Sequence, residues 1–507
     1  MEGDMNLLLV YPQIPDTFWS FKHALRFVSR KATFPPLGLL TVASMLPQDW
    51  DTKLVDMNTT HLMDSHIIWA DYVFISAMVV QQESARDVVN RCKWLGTKVV
   101  AGGPLFRPGY EDFGFDDIDH LVYGEAENLM PQLVTDLKHG CAAHVYSSSH
   151  LPDIASSPIP MWSLVNSHVY QSMSLQYSRG CPFNCEFCDI VVMNGHIPRT
   201  KTVQQVLAEL DSLYHHRWRG GVFFTDDNFI GNKGKLKQEI LPAIIDWSEA
   251  RKHPFTFITE ASINLADDEE LMKLMVAADF DTVFVGIESP NEDSLIECNK
   301  MPNKGRDLLT SVKRIQRHGL QVQGGFIVGF DGDPPSIFRN QISFIQNSGI
   351  VTAMVGVLMA PPGTPLHTRL RKENRLLPKG TGDNTDGSTN FIPKMGIETL
   401  TSGYRQVVRT IYAPRYYYDR ILRFLREYQP LGRRRRNFGP RYIRALLRCM
   451  WIVGIREPGR RHYWRLFGWT LFRKPGCFAA FTTLAVQGYH YRKVAEATLC
   501  ERRTQPD

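Results

Sequence analysis

The chain has 507 residues and a mass of 58.0 kDa, with 43% apolar and 22% charged residues. That composition excludes a disordered or fibrous protein and leaves room for about three domains. Nine cysteines are too few for a disulfide scaffold, the acidic start MEGDMNLLLVYP meets an apolar run too short for a signal peptide, and no run reaches the ~18–20 apolar residues of a membrane span. These features predict a soluble, cytoplasmic, multi-domain protein. The net charge of +6 is uneven: residues 414–507 carry 21 Lys and Arg against 6 Asp and Glu, a net of +15, which leaves −9 on the first 413 residues.

The first 145 residues alternate short Val-, Ile- and Leu-rich runs (6–10, 53–55, 71–76, 98–101 and 119–122) with longer mixed segments such as 38–46 and 84–95. Runs that are apolar throughout predict parallel strands buried on both faces, and the segments between them predict crossover helices. Residues 1–145 therefore read as a doubly wound, Rossmann-like α/β domain. Such sheets bind ligands beyond the C-terminal ends of their strands. There the chain places Tyr11, Pro12, Ser76, Ala77, Met78, Gly102, Gly103, Pro104, Gly124 and Glu125, residues that are mostly small or turn-forming. Glycine lets a backbone approach a bulky ligand, although ordinary loop chemistry explains the same residues. No GxGxxG dinucleotide fingerprint follows the first strand.

Residues 146–172 cluster Ser and Pro without periodicity and read as a linker. A second series follows, with candidate strands at 174–177, 221–225, 256–260, 282–287, 322–328 and 353–359 and helical patterns at 202–214, 268–278, 305–318 and 336–347. Six βα repeats predict a partial (β/α)6 TIM-like barrel over 173–395, with its chemistry on the loops after the strands. From 396 to 507 the pattern is that of a basic helical domain, with Arg433, Arg434, Arg435 and Arg436 in a row and Arg interleaved with Trp451, Trp464, Phe467, Trp469 and Phe472. A solvated basic face, peripheral contact with an anionic membrane and binding to a nucleic acid backbone all fit that mixture, nucleic acid least.

Cys181, Cys185 and Cys188 form CxxxCxxC directly after the first strand of the second series. Three thiolates on one short loop can hold three irons of a [4Fe–4S] cluster and leave the fourth without a protein ligand, and an open metal position is where substrate chemistry takes place. Pro182 and Asn184 favour loop geometry, which lets the sulfurs converge. Zinc is the competing metal, with His196 near enough in sequence to serve as a fourth ligand. Cys92, Cys141, Cys298, Cys449, Cys477 and Cys500 show no metal spacing and read as isolated thiols.

CxxxCxxC with Phe187 just before its last cysteine resembles the radical S-adenosylmethionine (SAM) superfamily. The resemblance implies that Asp226, Asp227 and Asn228 hold the SAM amino group. It places Glu260, Ser262, Glu288 and Ser289 near the ribose and carboxylate, and Gly325, Gly329 and Pro362 beside the adenine. The whole chain, including FPPLGLL at 34–40 and the Gly102–Gly103–Pro104 strand end, resembles cobalamin-binding radical SAM proteins. Its C-terminal part resembles the helical extension of a branch that includes bacteriochlorophyllide methylases. Cobalamin would then lie over the first sheet, closing on the mouth of the barrel. One departure stands out: the DxHxxG motif that supplies an axial histidine in other cobalamin enzymes is absent, and the partial match Asp64–Ser65–His66–Ile67–Ile68–Trp69 is misplaced after the second strand.

The resemblance implies one [4Fe–4S] cluster, SAM and cobalamin as cofactors, a flavodoxin- or ferredoxin-like reducing partner, and methylation of an unactivated carbon on a hydrophobic substrate, a tetrapyrrole or polycyclic lipid. The alternatives are a radical SAM cyclase or oxidase without methyl transfer, and a non-catalytic corrinoid or cluster sensor. No catalytic acid or base is assigned.

Overall fold

The computed structural model describes residues 5–500 except 111, 112, 116, 379 and 430–439. The four-arginine run therefore lies outside the described residues. The first sheet comprises β1 (Asn6–Tyr11), β2 (Asp51–Asp56), β3 (Tyr72–Ser76), β4 (Lys98–Gly102), β5 (His120–Tyr123) and β6 (Val145–Ser147). All pair in parallel in the order β2-β1-β3-β4-β5-β6. Order reverses between β1 and β3, so the ligand crevice of this doubly wound sheet opens at their C-terminal ends. Leu7 and Leu9 pack into a core on one face and Leu8 and Val10 into a core on the other, which is why β1 is apolar from Leu7 to Val10.

The second sheet comprises β7 (Ser172–Leu175), β10 (Gly220–Phe224), β11 (Phe255–Glu260), β12 (Phe280–Glu288), β13 (Gln321–Val328) and β14 (Ala353–Val357); the ribbon β8 (Ser178–Arg179) and β9 (Arg199–Thr200) lies between β7 and β10 in the chain. The six main strands pair in parallel in sequential order, with β7 and β14 as edges of a half-barrel. The predicted strand at 174–177 ends early, at Leu175. The N–H groups of Tyr177 and Ser178 are captured by the carboxylate of Asp226 and leave the ladder.

Five helices, Ile397–Tyr412, Pro414–Glu427, Pro440–Trp451, Arg460–Arg473 and Phe478–Cys500, extend the barrel core past β14. The Tyr412 hydroxyl donates to the Ala353 carbonyl at 2.5 Å, and the wholly buried Arg420 guanidinium donates to Gln346, Ile411 and Val351. Tyr417 and Tyr418 are core residues here, and Tyr417 donates to the Leu484 carbonyl at 2.7 Å. A Cβ at Gly488 would stand 2.2 Å from the Tyr417 ring. Gly→Ala in a helix usually stabilises by up to ~1 kcal/mol, but overpacking costs about 1–3 kcal/mol. Gly488→Ala is therefore expected to lower Tm, measured by thermal unfolding.

Candidate functional site

The ribbon of β8 and β9 pinches the base of the loop that carries the three cysteines. Gly180 starts that loop at φ +96°, where a Cβ would come within about 3 Å of the carbonyl oxygens of Asn194, Gly195 and Ile197. The loop is held from several sides. Cys181 N–H donates to Gly195 O at 3.2 Å, Glu186 N–H to Cys298 O at 2.9 Å, and Glu186 pairs with Arg369 at 2.7 Å. Cys185 is buried and Cys181 and Cys188 are half-buried.

Among the described residues, the three sulfurs do not all lie within 4.8 Å of one another, nor does a group that includes His196. A tetrahedral zinc with bonds of about 2.3 Å needs its sulfurs under ~4 Å apart. A [4Fe–4S] cluster takes three thiolates on three separate irons, which the three thiols of this one loop can supply. Burial raises all three thiol pKa values, Cys188 to about 12, while the Lys300 ammonium pulls each towards thiolate. Metal charge is what such a pocket lacks for full ionisation.

Around this loop the strand ends of the half-barrel converge. Asp226 is buried, and its oxygens accept from Tyr177 N–H, Ser178 N–H and the Ser178 hydroxyl. Asp227 accepts from Gly180 N–H and the Asn194 amide, both at 2.9 Å. Both carboxylates thus brace the backbone that enters the cysteine loop. Asn228 places its amide 4.0 Å from the Cys181 sulfur and accepts from Ser262 N–H at 3.2 Å. Phe187 packs near Phe330, Ser289 is buried with its hydroxyl accepting from Asn291 N–H, Gly329 N–H donates to Asp333, and Pro362 abuts Gly109 of the first domain. A Cβ at Gly325 would meet the Phe284 ring at 2.8 Å.

Lys300 carries no recognisable motif and escapes sequence reading, yet its ammonium sits 2.6 Å from Glu288 beside the cysteines. Glu288 adopts φ +60°, a strained conformation at the bulged end of β12, and a Cβ at Gly286 would collide with both its carboxylate and the Lys300 ammonium. Asn303 holds this turn by donating to the Gly286 and Ile287 carbonyls.

The Glu260 carboxylate, at the end of β11, has no hydrogen bond or ion pair among the described residues, and burial together with neighbouring carboxylates raises its pKa from 4.5 to about 8. A raised folded-state pKa favours the protonated fold, so this contribution to stability is full below about pH 4.5 and is lost as pH rises through 8. Glu260→Gln is expected to flatten the fall in stability of the cofactor-free protein between those limits, read as Tm against pH.

In the first domain, Pro12 O accepts from Gln81 at 2.5 Å, burial raises the Tyr11 pKa, and Met78 is exposed. Gly103 has φ +93°, and a Cβ there would stand 2.7 Å from the Ser76 hydroxyl; Ala77 O accepts from Leu105 N–H just beyond Pro104. Gly124 faces open space at φ +115°, and Gly102 lies against Val122. These residues lie at the C-terminal ends of β1, β3, β4 and β5. His66 is in the helix Asp64–Trp69, its Nδ1 accepting from Met63 N–H. Glu125 points elsewhere: it pairs with Arg179 and Arg199, each at 2.5 Å, at the two feet of the cysteine loop. Arg107 pairs with Asp189 at 2.6 Å on the loop's far side. The first domain also enters the barrel, with Phe34 against Phe223 and Trp19 against Phe284 and Met354.

A radical SAM superfamily profile matches residues 175–345, a B12-binding domain profile matches 25–134, and a domain family of unknown function matches 364–504. The chain is 39% identical to an uncharacterized methyltransferase of Synechocystis, over 97% of this chain and 92% of that protein. It is 32% identical to the hopanoid C-2 methylase of Rhodopseudomonas palustris, over 91% and 88%. The chain belongs to the cobalamin-binding radical SAM family. This family member has the fold of the cobalamin-dependent radical SAM enzyme OxsB, with TM-score 0.62 at 15% identity, covering 99% of this chain and 82% of that one. Its cofactors are a [4Fe–4S] cluster, SAM and cobalamin. Three cysteines on one half-buried loop fit the first, and Gly103 and Gly124 at positive φ beyond the first sheet's strands fit the last.

Proposed function

We propose that this protein is a C-methyltransferase acting on an unactivated carbon of a polycyclic lipid, with residues 1–145 as cobalamin domain, 146–172 as linker, 173–395 as radical SAM barrel and 396–507 as helical domain. The likeness to the hopanoid methylase over nearly the whole chain carries the reading, and the aromatic lining of the barrel by Trp19, Phe34, Phe223 and Phe284 supports it. Cys181, Cys185 and Cys188 hold the cluster, and the Glu288–Lys300 pair complements the charged amino-acid end of SAM. Asn228, Glu260 and Ser262 line the same recess, and Asp226 and Asp227 brace it. Tyr11, Pro12, Ser76, Ala77, Met78, Gly102, Gly103, Pro104 and Gly124 form the corrin shelf. When bound, the cofactors supply a radical that removes hydrogen from the substrate and the methyl group that replaces it. The protein's own share is alignment: Glu125, Arg179, Arg199, Arg107 and Asp189 fix the first domain against the cysteine loop, and the apolar lining excludes water. A flavodoxin- or ferredoxin-like partner supplies electrons.

Anaerobic turnover with methyl-deuterated SAM tests this reading on polycyclic lipid and tetrapyrrole extracts. Deoxyadenosine together with a labelled, heavier lipid is expected. Deoxyadenosine without labelled product defeats methyl transfer, and a labelled tetrapyrrole defeats the lipid assignment.

We infer that the helical domain also meets an anionic lipid surface. Among the described residues no helix is long and apolar enough to cross a membrane. Ile443, Leu447, Trp451 and Ile455 are exposed at intervals of four, Trp464 adjoins them through its hydrogen bond to Gly454, and Arg444, Arg456, Arg460 and Arg461 are exposed nearby in the chain. An apolar stripe with basic flanks suits an anionic lipid surface. Co-sedimentation with phosphatidylglycerol vesicles, lost on Leu447→Glu and Trp451→Glu, is the expected result; no binding to such vesicles removes this part of the proposal.

A further inference from the structure

We propose that Asp16, His23 and His490 form a binding site for a divalent transition-metal ion of the zinc class, which clasps the segment after β1 to the last helix. One ligand atom from each of the three lies within 4.8 Å of the other two. Two imidazoles and a carboxylate suit zinc and its first-row neighbours, whereas magnesium and calcium favour all-oxygen sets.

The surroundings are those of supported ligands. Asp16 Oδ1 accepts from the Ser20 hydroxyl at 3.1 Å. His490 is wholly buried and its Nε2–H donates to the Phe18 carbonyl at 3.0 Å. Metal-binding histidines commonly have one ring N–H anchored in this way, which fixes the tautomer. The other nitrogen, Nδ1, is buried with no partner, so the imidazole keeps an unspent lone pair away from water. Asp16 Oδ2 and His23 Nε2 are 2.7 Å apart, so one ion could bridge both. An ion would enter by way of the exposed Asp16. A hydrogen-bonded Asp–His pair accounts for two of these residues and leaves the His490 nitrogen unexplained.

The site does not depend on the methylase reading. Its place gives it a structural role, because Phe18 stacks on Tyr491 at 4.4 Å, and Trp19, between two of the ligands in sequence, reaches Phe284 and Met354 inside the barrel. An ion here would fix the strap that carries Trp19.

The test uses cluster-loaded, full-length protein kept anaerobic, exposed to zinc alone, desalted and assayed for zinc and iron. Wild type is expected to retain one zinc per chain at unchanged iron and to gain thermal stability. Asp16→Asn and His23→Gln, at partly exposed positions that leave the core intact, should each retain zinc about tenfold less or worse. Absence of retained zinc in wild type, or equal retention in both variants, overturns the proposal.

Discussion

Cys185→Ala is expected to abolish SAM cleavage, with deoxyadenosine formation falling by ~10³-fold or more, because the three thiolates act as a unit. Iron content and the charge-transfer absorbance of the cluster should fall with it. The fold should survive, since the loop is also held by Glu186 to Arg369, by Glu186 N–H to Cys298 O and by Asp227 to Gly180. Cys298 provides the control. It is a buried cysteine beside the trio, but its thiol turns towards the Leu295 carbonyl at 3.7 Å, and burial raises its pKa. Cys298→Ala should retain iron and turnover. Retention of both in Cys185→Ala would refute the cluster assignment.

The two sheets were legible because their strands are short apolar-rich runs between turn residues, buried on both faces in β1, β3 and β13 and alternating in β11. The cysteine loop was legible because cluster chemistry fixes both residue type and spacing. What brings the two halves together was not. Glu125 reads as one more strand-end residue beside Gly124, yet its partners Arg179 and Arg199 lie in the other domain. Ion pairs of this kind depend on tertiary proximity, which leaves no periodicity in the sequence. The same holds for Arg107 and Asp189, and for Trp19, which looks like a loop aromatic until it is found against Phe284. Asp226 and Asp227 show the reverse: an acidic pair that suggests a ligand for an ammonium group engages mainly backbone N–H groups.

Lys300→Met is expected to show how far the site depends on a residue without a motif. The substitution leaves Glu288 buried without its cation, and breaking a buried pair from one side costs about 3–5 kcal/mol. Lys300→Met should therefore lower Tm sharply. Adding Glu288→Gln should restore most of that loss, because the stranded charge goes with it, and a double-mutant cycle measures the coupling. Cluster assembly should behave differently. Lys300 is the cation that pulls Cys181, Cys185 and Cys188 towards thiolate against the effect of burial. Without it, iron incorporation should require higher pH in the single and the double variant alike, and Lys300→Arg should restore part of it. Should the double variant regain both Tm and wild-type iron loading, Lys300 would be a partner for Glu288 alone, and the thiols would ionise through the metal's charge without its help.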